Sequence, residues 1–273
     1  MGTAKQFEEQ GYVILTNFFT PEEVCQLTCI VDHIYSQWEK ENYDALIEQL
    51  LINMHSLTHP NYFQNCSQTR IEFFDLLSPL KLIDALDSLF KTDIYFHNTQ
   101  LFFNPHNKEK QPYWHRDLQY SPINDSVQAA EHSTMLSLHV RIPLVAEKGV
   151  ELIPETHKRW DTELERNVRF ELNGHRNHET LPGSVLVELA PGDVLIFNAQ
   201  MMHRGNYVLN STRKALDLCV GKPHPLVERF LDPTGLPTDA EIKLIRNRSW
   251  YDLARKIAAD KSQPPIPAAV DSV

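Results

Sequence analysis

His115 and Asp117 stand two residues apart in Tyr113-Trp114-His115-Arg116-Asp117-Leu118. On an extended backbone such a pair shares one face while Arg116 points away. An imidazole and a carboxylate then converge on one point, and one more histidine from a distant strand would complete a facial triad. Three such ligands leave open positions on an octahedral ion, an arrangement suited to non-haem ferrous iron and oxygen chemistry. His-x-Asp alone says little in a chain with 13 histidines, so the reading depends on what lies downstream.

Downstream, Ala190-Pro191-Gly192-Asp193 reads as a turn and Val194-Leu195-Ile196-Phe197 as a buried strand. The strand runs into Gln200-Met201-Met202-His203-Arg204-Gly205. A histidine just past a buried strand, followed by a glycine, suits a ligand aimed into a barrel mouth. Arg213 follows in Ser211-Thr212-Arg213-Lys214, and short strands joined as a hairpin would bring it back beside His203. Its planar guanidinium fits the distal carboxylate of a keto acid such as 2-oxoglutarate.

The elements that must position these groups lie mostly between Asp93 and Val220. Short extended runs separated by Pro, Gly and polar clusters predict strands over Ile94 to Asn104, Met135 to Leu144, Glu151 to Ile153, Val185 to Leu189, Val194 to Asn198 and Arg213 to Val220. No βαβ alternation occurs, so an antiparallel sandwich or barrel is expected. On the N-terminal side, residues 5–16 read as a short polar helix or turn followed by a strand from Gly11. Thr20-Pro21-Glu22-Glu23 is a helix start, with Thr20 as cap and an apolar period running from Val24 through Trp38. Further helices are predicted over Asp44 to Asn53, over Pro79 to Phe90 with Ser78 as cap, and from Thr238 to about Ala259; His55 to Thr69 reads as loop, either a packed connection or a lid. Lys261 to Val273 is rich in Pro and Ala and reads as a frayed tail. With no linker composition, the expectation is a single domain over 1–273: a helical region 1–92, a β core over about 93–221, and a C-terminal helix and tail over 222–273.

A hydrophobic fraction of 42% and a charged fraction of 23% are ordinary for a globular protein. A net charge of −10 argues against nucleic acid or an anionic membrane as partner, because phosphate neutralisation needs clustered Lys and Arg. No apolar run approaches membrane-spanning length. MGTAKQFEEQ has no apolar signal region, and Gln6 breaks the myristoylation pattern after Gly2. The sequons at Asn65 and Asn210 therefore carry little weight. Cys25 and Cys29, spaced for one helix face, are expected as small buried side chains, and the cysteine usage fits a reducing cytoplasm. The sequence carries no signal of oligomeric state.

His115-x-Asp117, Ile153-Pro154-Glu155-Thr156-His157-Lys158, Pro191-Gly192-Asp193, and His203 with Arg213, in this order and spacing, resemble the phytanoyl-CoA dioxygenase family of Fe(II)/2-oxoglutarate oxygenases. The resemblance covers roughly Asp93 to Val220. It implies a mainly β fold with flanking helices: a double-stranded β-helix, or cupin-like jelly roll. It implies that His115, Asp117 and His203 bind Fe(II), that Arg213 holds the C5 carboxylate of 2-oxoglutarate, and that O2 is the co-reactant. Gln100, Asn104 and Ser137 resemble positions beside the cosubstrate. Trp114, His139, Arg141 and His157 are candidates for contact with a small-molecule substrate, the competing readings being core packing for Trp114, satisfied lining polars for His139 and Arg141, and a loop tether for His157. The implied reaction is hydroxylation with release of succinate and CO2. Related halogenases have a small residue where Asp117 stands, so hydroxylation is favoured over halogenation. Relatives usually have Pro-Gly-Ser-His in place of residues 154–157 and often Gln in place of Arg116. The basic residue expected on the Gln100–Asn104 strand of phytanoyl-CoA hydroxylases is absent, so that substrate does not transfer directly. The competing readings are a jelly-roll protein that binds a metal or small molecule without turnover, and an oxygenase that modifies proteins.

Overall fold

The structure, a computed structural model, describes residues 2–48, 50–64 and 66–262. Asn65 of the first sequon and most of the proposed frayed tail lie outside them. Nine strands are described in chain order: β1 (Tyr12–Leu15), β2 (Asn53–His55), β3 (Tyr95–Phe103), β4 (Ser137–Pro143), β5 (Glu147–Leu152), β6 (Val185–Leu189), β7 (Val194–Asn198), β8 (His203–Gly205) and β9 (Lys214–Gly221). They form a six-stranded sheet in the order β1-β7-β4-β9-β3-β2 and a three-stranded sheet in the order β6-β5-β8. Every described pairing is antiparallel, as the lack of βαβ alternation requires. Val150, Leu152, Val187 and Leu189 of the small sheet meet Leu195 and Phe197 of the large one in a single apolar cluster, which holds the two sheets face to face as a jelly roll.

Local sequence explains the main helix. Thr20 and Glu23 form a reciprocal capping box, with Pro21 in the first turn, so the helix Pro21–Glu41 starts where the signal predicts. It turns Val24, Leu27, Val31 and Ile34 to the core, each burial contributing roughly 1.5–3 kcal/mol. Cys25 and Cys29 lie off that stripe and are exposed, contrary to expectation. Their apolar character is outweighed by a helix phase already filled by larger side chains.

The polar turn Ala190–Asp193 is fixed by its own residues. Asp193 accepts bonds from the backbone N–H of Ala190 and of Asn17, tying the start of β7 to the end of β1. Gly192 has φ +95, and a Cβ there would stand 2.7 Å from the Phe19 carbonyl oxygen, too close for any side chain.

Four expectations need correction. The helix expected over Asp44 to Asn53 is only Tyr43–Glu48, and Asn53 instead opens β2, paired with Phe102 across the sheet edge. The expected loop over His55 to Thr69 contains a 3-10 turn at Pro60–Phe63 and the first turn of a helix, Ser67–Leu77. Ser78 does not cap the helix Leu80–Phe90; its hydroxyl donates to the carbonyls of Phe74 and Asn247. Thr238 and Glu241 make reciprocal capping bonds, but only a 3-10 turn Glu241–Lys243 follows, and the helix proper is Ser249–Ser262. The Asn247 side-chain amide donates to Ser78 O, a tertiary tie at the point where a continuous helix would have run. Among the described residues no helix is long and apolar enough to cross a membrane.

Candidate metal centre and its cavity

Residues 113–117 alternate as an extended strand should. Tyr113, His115 and Asp117 line a cavity of about 370 Å³ between the sheets. Trp114 and Arg116 point the other way and are fully buried. Trp114 packs with Ile153, Val168, Leu181 and Met202 and donates its indole N–H to Glu179 O. It therefore does not wall the site, because it sits on the opposite face of the backbone from His115. Arg116 donates to Asp161 Oδ1 and to the carbonyls of Thr156, Arg159 and Gln200. It thus ties the His115–Asp117 segment to the loop that precedes His203.

The two histidines are brought together by backbone pairing. His115 N–H donates to His203 O and His203 N–H donates to His115 O, both at 3.0 Å, so His115 extends the edge of β8. Asp117 N–H donates to Ala199 O. Each imidazole then has its Nδ1 beside a backbone carbonyl two residues back: Tyr113 O at 3.1 Å for His115 and Met201 O at 3.0 Å for His203. With Nδ1–H donating there, both Nε2 atoms are free to bind a metal. Asp117 Oδ1 lies 3.8 Å from His115 Nε2 and 3.3 Å from His203 Nε2, and the three ligand atoms all fall within 4.8 Å of one another. Ligands about 2.1 Å from one ion, set at right angles, would lie about 3 Å apart, so the spacing fits a single small divalent cation. Burial, reinforced by the neighbouring His203, pushes the His115 pKa down to about 3, which keeps it neutral as a ligand must be. Burial opposes the charge on Asp117, but His139 and His203 hold its carboxyl well below the usual range.

His139 and Arg141 do not present free groups to a substrate. His139 Nε2 lies 2.7 Å from the second carboxylate oxygen of Asp117, and its Nδ1 lies 2.9 Å from Asp217 Oδ2. Its ring stacks on Phe197 at 4.9 Å. Arg141 donates to Asp217 Oδ1 at 2.7 Å and to both oxygens of Glu147 at 3.0 and 2.6 Å. Glu147 Oε1 also accepts from Arg213 Nε at 2.6 Å. A buried chain of alternating charge thus runs Asp117, His139, Asp217, Arg141, Glu147, Arg213.

Arg213 lines the cavity, but not through a hairpin with His203. His203 belongs to the small sheet and Arg213 leads into β9 of the large one, so the facing of the sheets makes them neighbours. Arg213 is 3% exposed, and its Nη1 is buried without a partner. A Cβ on Gly205 would stand 3.0 Å from both Nη1 and Nη2, so glycine there lets the guanidinium lie flat against β8. An orphaned guanidinium nitrogen in the triad's own cavity is the feature a ligand carboxylate would satisfy.

Gln100 also lines the cavity, with its amide oxygen accepting from Asn53 Nδ2 at 3.0 Å. Asn104 does not: it falls one residue past β3 and its amide donates to Asn210 O. Ser137 begins β4, two residues short of His139, and is not among the lining residues. His157 is tethered to Glu8 O at the N-terminal helix, away from the cavity. Sequence reasoning missed Asn53, His55, Tyr120, Tyr207, Glu147 and Asp217. Asp217 had a legible signal, a carboxylate in the middle of Ala215-Leu216-Asp217-Leu218-Cys219-Val220. The others sit in short or irregular segments whose position depends on the fold.

The family model for phytanoyl-CoA dioxygenase (PhyH) matches residues 7–215. Ectoine dioxygenase of Sphingopyxis alaskensis is 22% identical over 222 residues, 74% of this chain and 69% of that protein. The solved structure of EctD from S. alaskensis with 2-oxoglutarate and 5-hydroxyectoine matches with a TM-score of 0.54 at 18% identity, over 80% of this chain and 74% of that one. The alpha-ketoglutarate-dependent carbocyclase SnoK from nogalamycin biosynthesis matches with a TM-score of 0.53 at 16% identity, over 81% and 83%. HygX from Streptomyces hygroscopicus with nickel and 2-oxoglutarate gives 0.53 at 15% identity, over 81% and 86%. At such identities the solved structures establish the shared fold, which hosts more than one reaction. The family model spans both halves of the cavity, from β1 to the start of β9, and on that match the chain belongs to the phytanoyl-CoA dioxygenase (PhyH) family.

Proposed function

We propose that this protein is an Fe(II)- and 2-oxoglutarate-dependent dioxygenase that hydroxylates a small organic substrate and releases succinate and CO2. The observation that carries the reading is one cavity containing two free imidazole Nε2 atoms, one carboxylate oxygen and one unpartnered buried guanidinium nitrogen. When bound, ferrous iron and 2-oxoglutarate would supply the activation of O2. His115, Asp117 and His203 would hold the metal, and Arg213 would pair with the distal carboxylate of the keto acid. Gln100 is near enough on the same wall to help seat it. His139 fixes the second oxygen of Asp117, so that the first faces the two imidazoles. Asp117 itself favours hydroxylation over halogenation, since its carboxylate fills the position that a halide would need. The small cavity, walled on both sides by sheet residues, favours a small molecule over a protein segment. The described chain reads as one domain, because a single core cluster joins its N-terminal helices, its large sheet and its last helix. Four free cysteines suit a reducing cytoplasm.

The test is conversion of 2-oxoglutarate to succinate by Fe(II)-loaded protein in air. Turnover that is lost in both His203→Ala and Asp117→Ala supports the assignment. Absence of succinate from the wild type would favour a binding protein without turnover. Turnover surviving in both variants would move the chemistry to another site.

A further inference from the structure

The charges of the cavity can be followed one by one. Its lining contains two arginines and two aspartates. Arg141 is neutralised on one side by Asp217 and on the other by Glu147. Arg213 shares Glu147 through Nε and has its Nη1 buried without a partner, and the proposed function commits this end of the guanidinium to the keto acid. Asp217 lies between His139 and Arg141, and Asp117 faces the metal site and His139. Once metal and cosubstrate are in place, no formal charge in the lining is left over for a substrate. An ionised group brought into this space would lose hydration without gaining a partner among the lining residues.

The aromatic faces give the same answer for cations. Phe102 carries the guanidinium carbons of Arg141 at 4.9 Å and Arg213 at 5.5 Å. Arg213 also stands 5.8 Å from the centre of Tyr207, and Lys110 lies 5.2 Å from that of Tyr113. The chain's own cations thus already stand over Phe102, over Tyr207 and over one face of Tyr113, positions that a substrate ammonium would otherwise take.

The remaining lining is neutral and divides into two walls. One is the β2–β3 edge, where the Asn53 amide donates to Gln100 Oε1 at 3.0 Å and lies 3.3 Å from His55 Nε2. His55 is exposed at the rim, and desolvation lowers its pKa against the pull of Asp117. The other wall is aromatic: Tyr113 and Tyr120 meet edge-on with centroids 6.3 Å apart, and Tyr120 lies 5.5 Å from the His115 ring. Resting on the proposed function, we propose that the substrate moiety entering this cavity is uncharged, with hydroxyl, carbonyl or amide groups that meet Asn53 and His55 and a flat or CH-rich face that packs on Tyr113 and Tyr120. Such amides exchange donors and acceptors with a neutral polar group, and tyrosine rings take a flat or CH-rich face.

The experiment uses anaerobic protein saturated with Fe(II) and 2-oxoglutarate, titrated with matched trios on benzene, cyclohexane and indole scaffolds. Each trio consists of the primary carboxamide, the carboxylate and the aminomethyl compound. Binding is read from the perturbation of the visible Fe(II)–2-oxoglutarate band. The expected result is that a carboxamide binds best on at least one scaffold, about tenfold or more tighter than both charged partners. In Asn53→Asp the amine should gain on the amide by about tenfold. A charged member binding tightest, no carboxamide binding at all, or an unchanged amine-to-amide ratio in Asn53→Asp overturns the proposal while leaving the oxygenase reading intact. Failure of the band itself to form overturns both.

Discussion

Replacing Glu147 with glutamine keeps the shape of the side chain and removes the charge that two buried guanidiniums share. Burial works against the carboxylate, yet Arg141 and Arg213 hold its pKa at about 2 instead of 4.5. At about 1.4 kcal/mol per pH unit, that pairing contributes roughly 3 kcal/mol. The figure agrees with the ~3–5 kcal/mol lost when one partner of a buried ion pair is removed. Glu147→Gln should therefore unfold in urea with a stability about 3 kcal/mol lower at pH 7, and melt roughly 6–12 °C lower. The sign of the pH dependence follows from the lowered pKa. The contribution is fully present above pH 4.5 and is lost as pH falls towards 2. The gap between wild type and variant should stay constant from pH 7 to 5 and begin to close by pH 4. Urea titrations of both proteins at several pH values measure it. A variant as stable as wild type at pH 7, or a gap that does not change below pH 4.5, would refute the idea that Glu147 binds the two arginines together.

Further outcomes follow from the same geometry. Gly205→Ala places a methyl group 3.0 Å from both terminal nitrogens of Arg213; the 2-oxoglutarate KM should rise about tenfold with little change in Tm, and an unchanged KM would show that the guanidinium does not lie against β8 when the cosubstrate binds. Fe(II) or Ni(II) at 100 times its Kd should stabilise the wild type by about 2.7 kcal/mol, read as a Tm increase that His115→Ala abolishes. Thr20→Ala removes the acceptor of the Glu23 N–H bond at 3.3 Å; stability should fall by about 1 kcal/mol with succinate formation unaffected, and a larger loss would mean Thr20 does more than cap its helix.

Alternation was the most readable feature of the sequence. β7, predicted to the residue, was read instead as a continuous buried run, and alternation implied that His115 and Asp117 share a face. The same rule excludes Trp114, whose aromatic character had outweighed its parity. The triad was legible from the His-x-Asp spacing and from a histidine just past the buried run Val194–Phe197. β2 was not, because it is three residues long and is defined by pairing with Gln100, Leu101 and Phe102 far along the chain. The helix Ser67–Leu77 was obscured because it is buried on more than one side, with Arg70, Phe73, Phe74 and Leu77 all inside, which blurs the contrast between faces. Arg70 is accommodated there by Glu241 and by the carbonyls of Thr58, Thr234 and Leu236, partners that only the folded chain supplies. His139 and Arg141 could be read from sequence either as substrate contacts or as satisfied lining polars, because their acids, Asp217 of β9 and Glu147 of β5, are brought to them only by the fold.

The central claim is that His115, Asp117, His203 and Arg213 form one site for a ferrous ion and its keto acid. It is tested most directly by anaerobic absorption spectroscopy, adding Fe(II) and then 2-oxoglutarate to the apoprotein. A new visible charge-transfer band should appear with one equivalent of each. It should be absent in His203→Ala and should require much more 2-oxoglutarate in Arg213→Gln. No band in the wild type, or the same band at the same concentrations in both variants, would contradict the assignment.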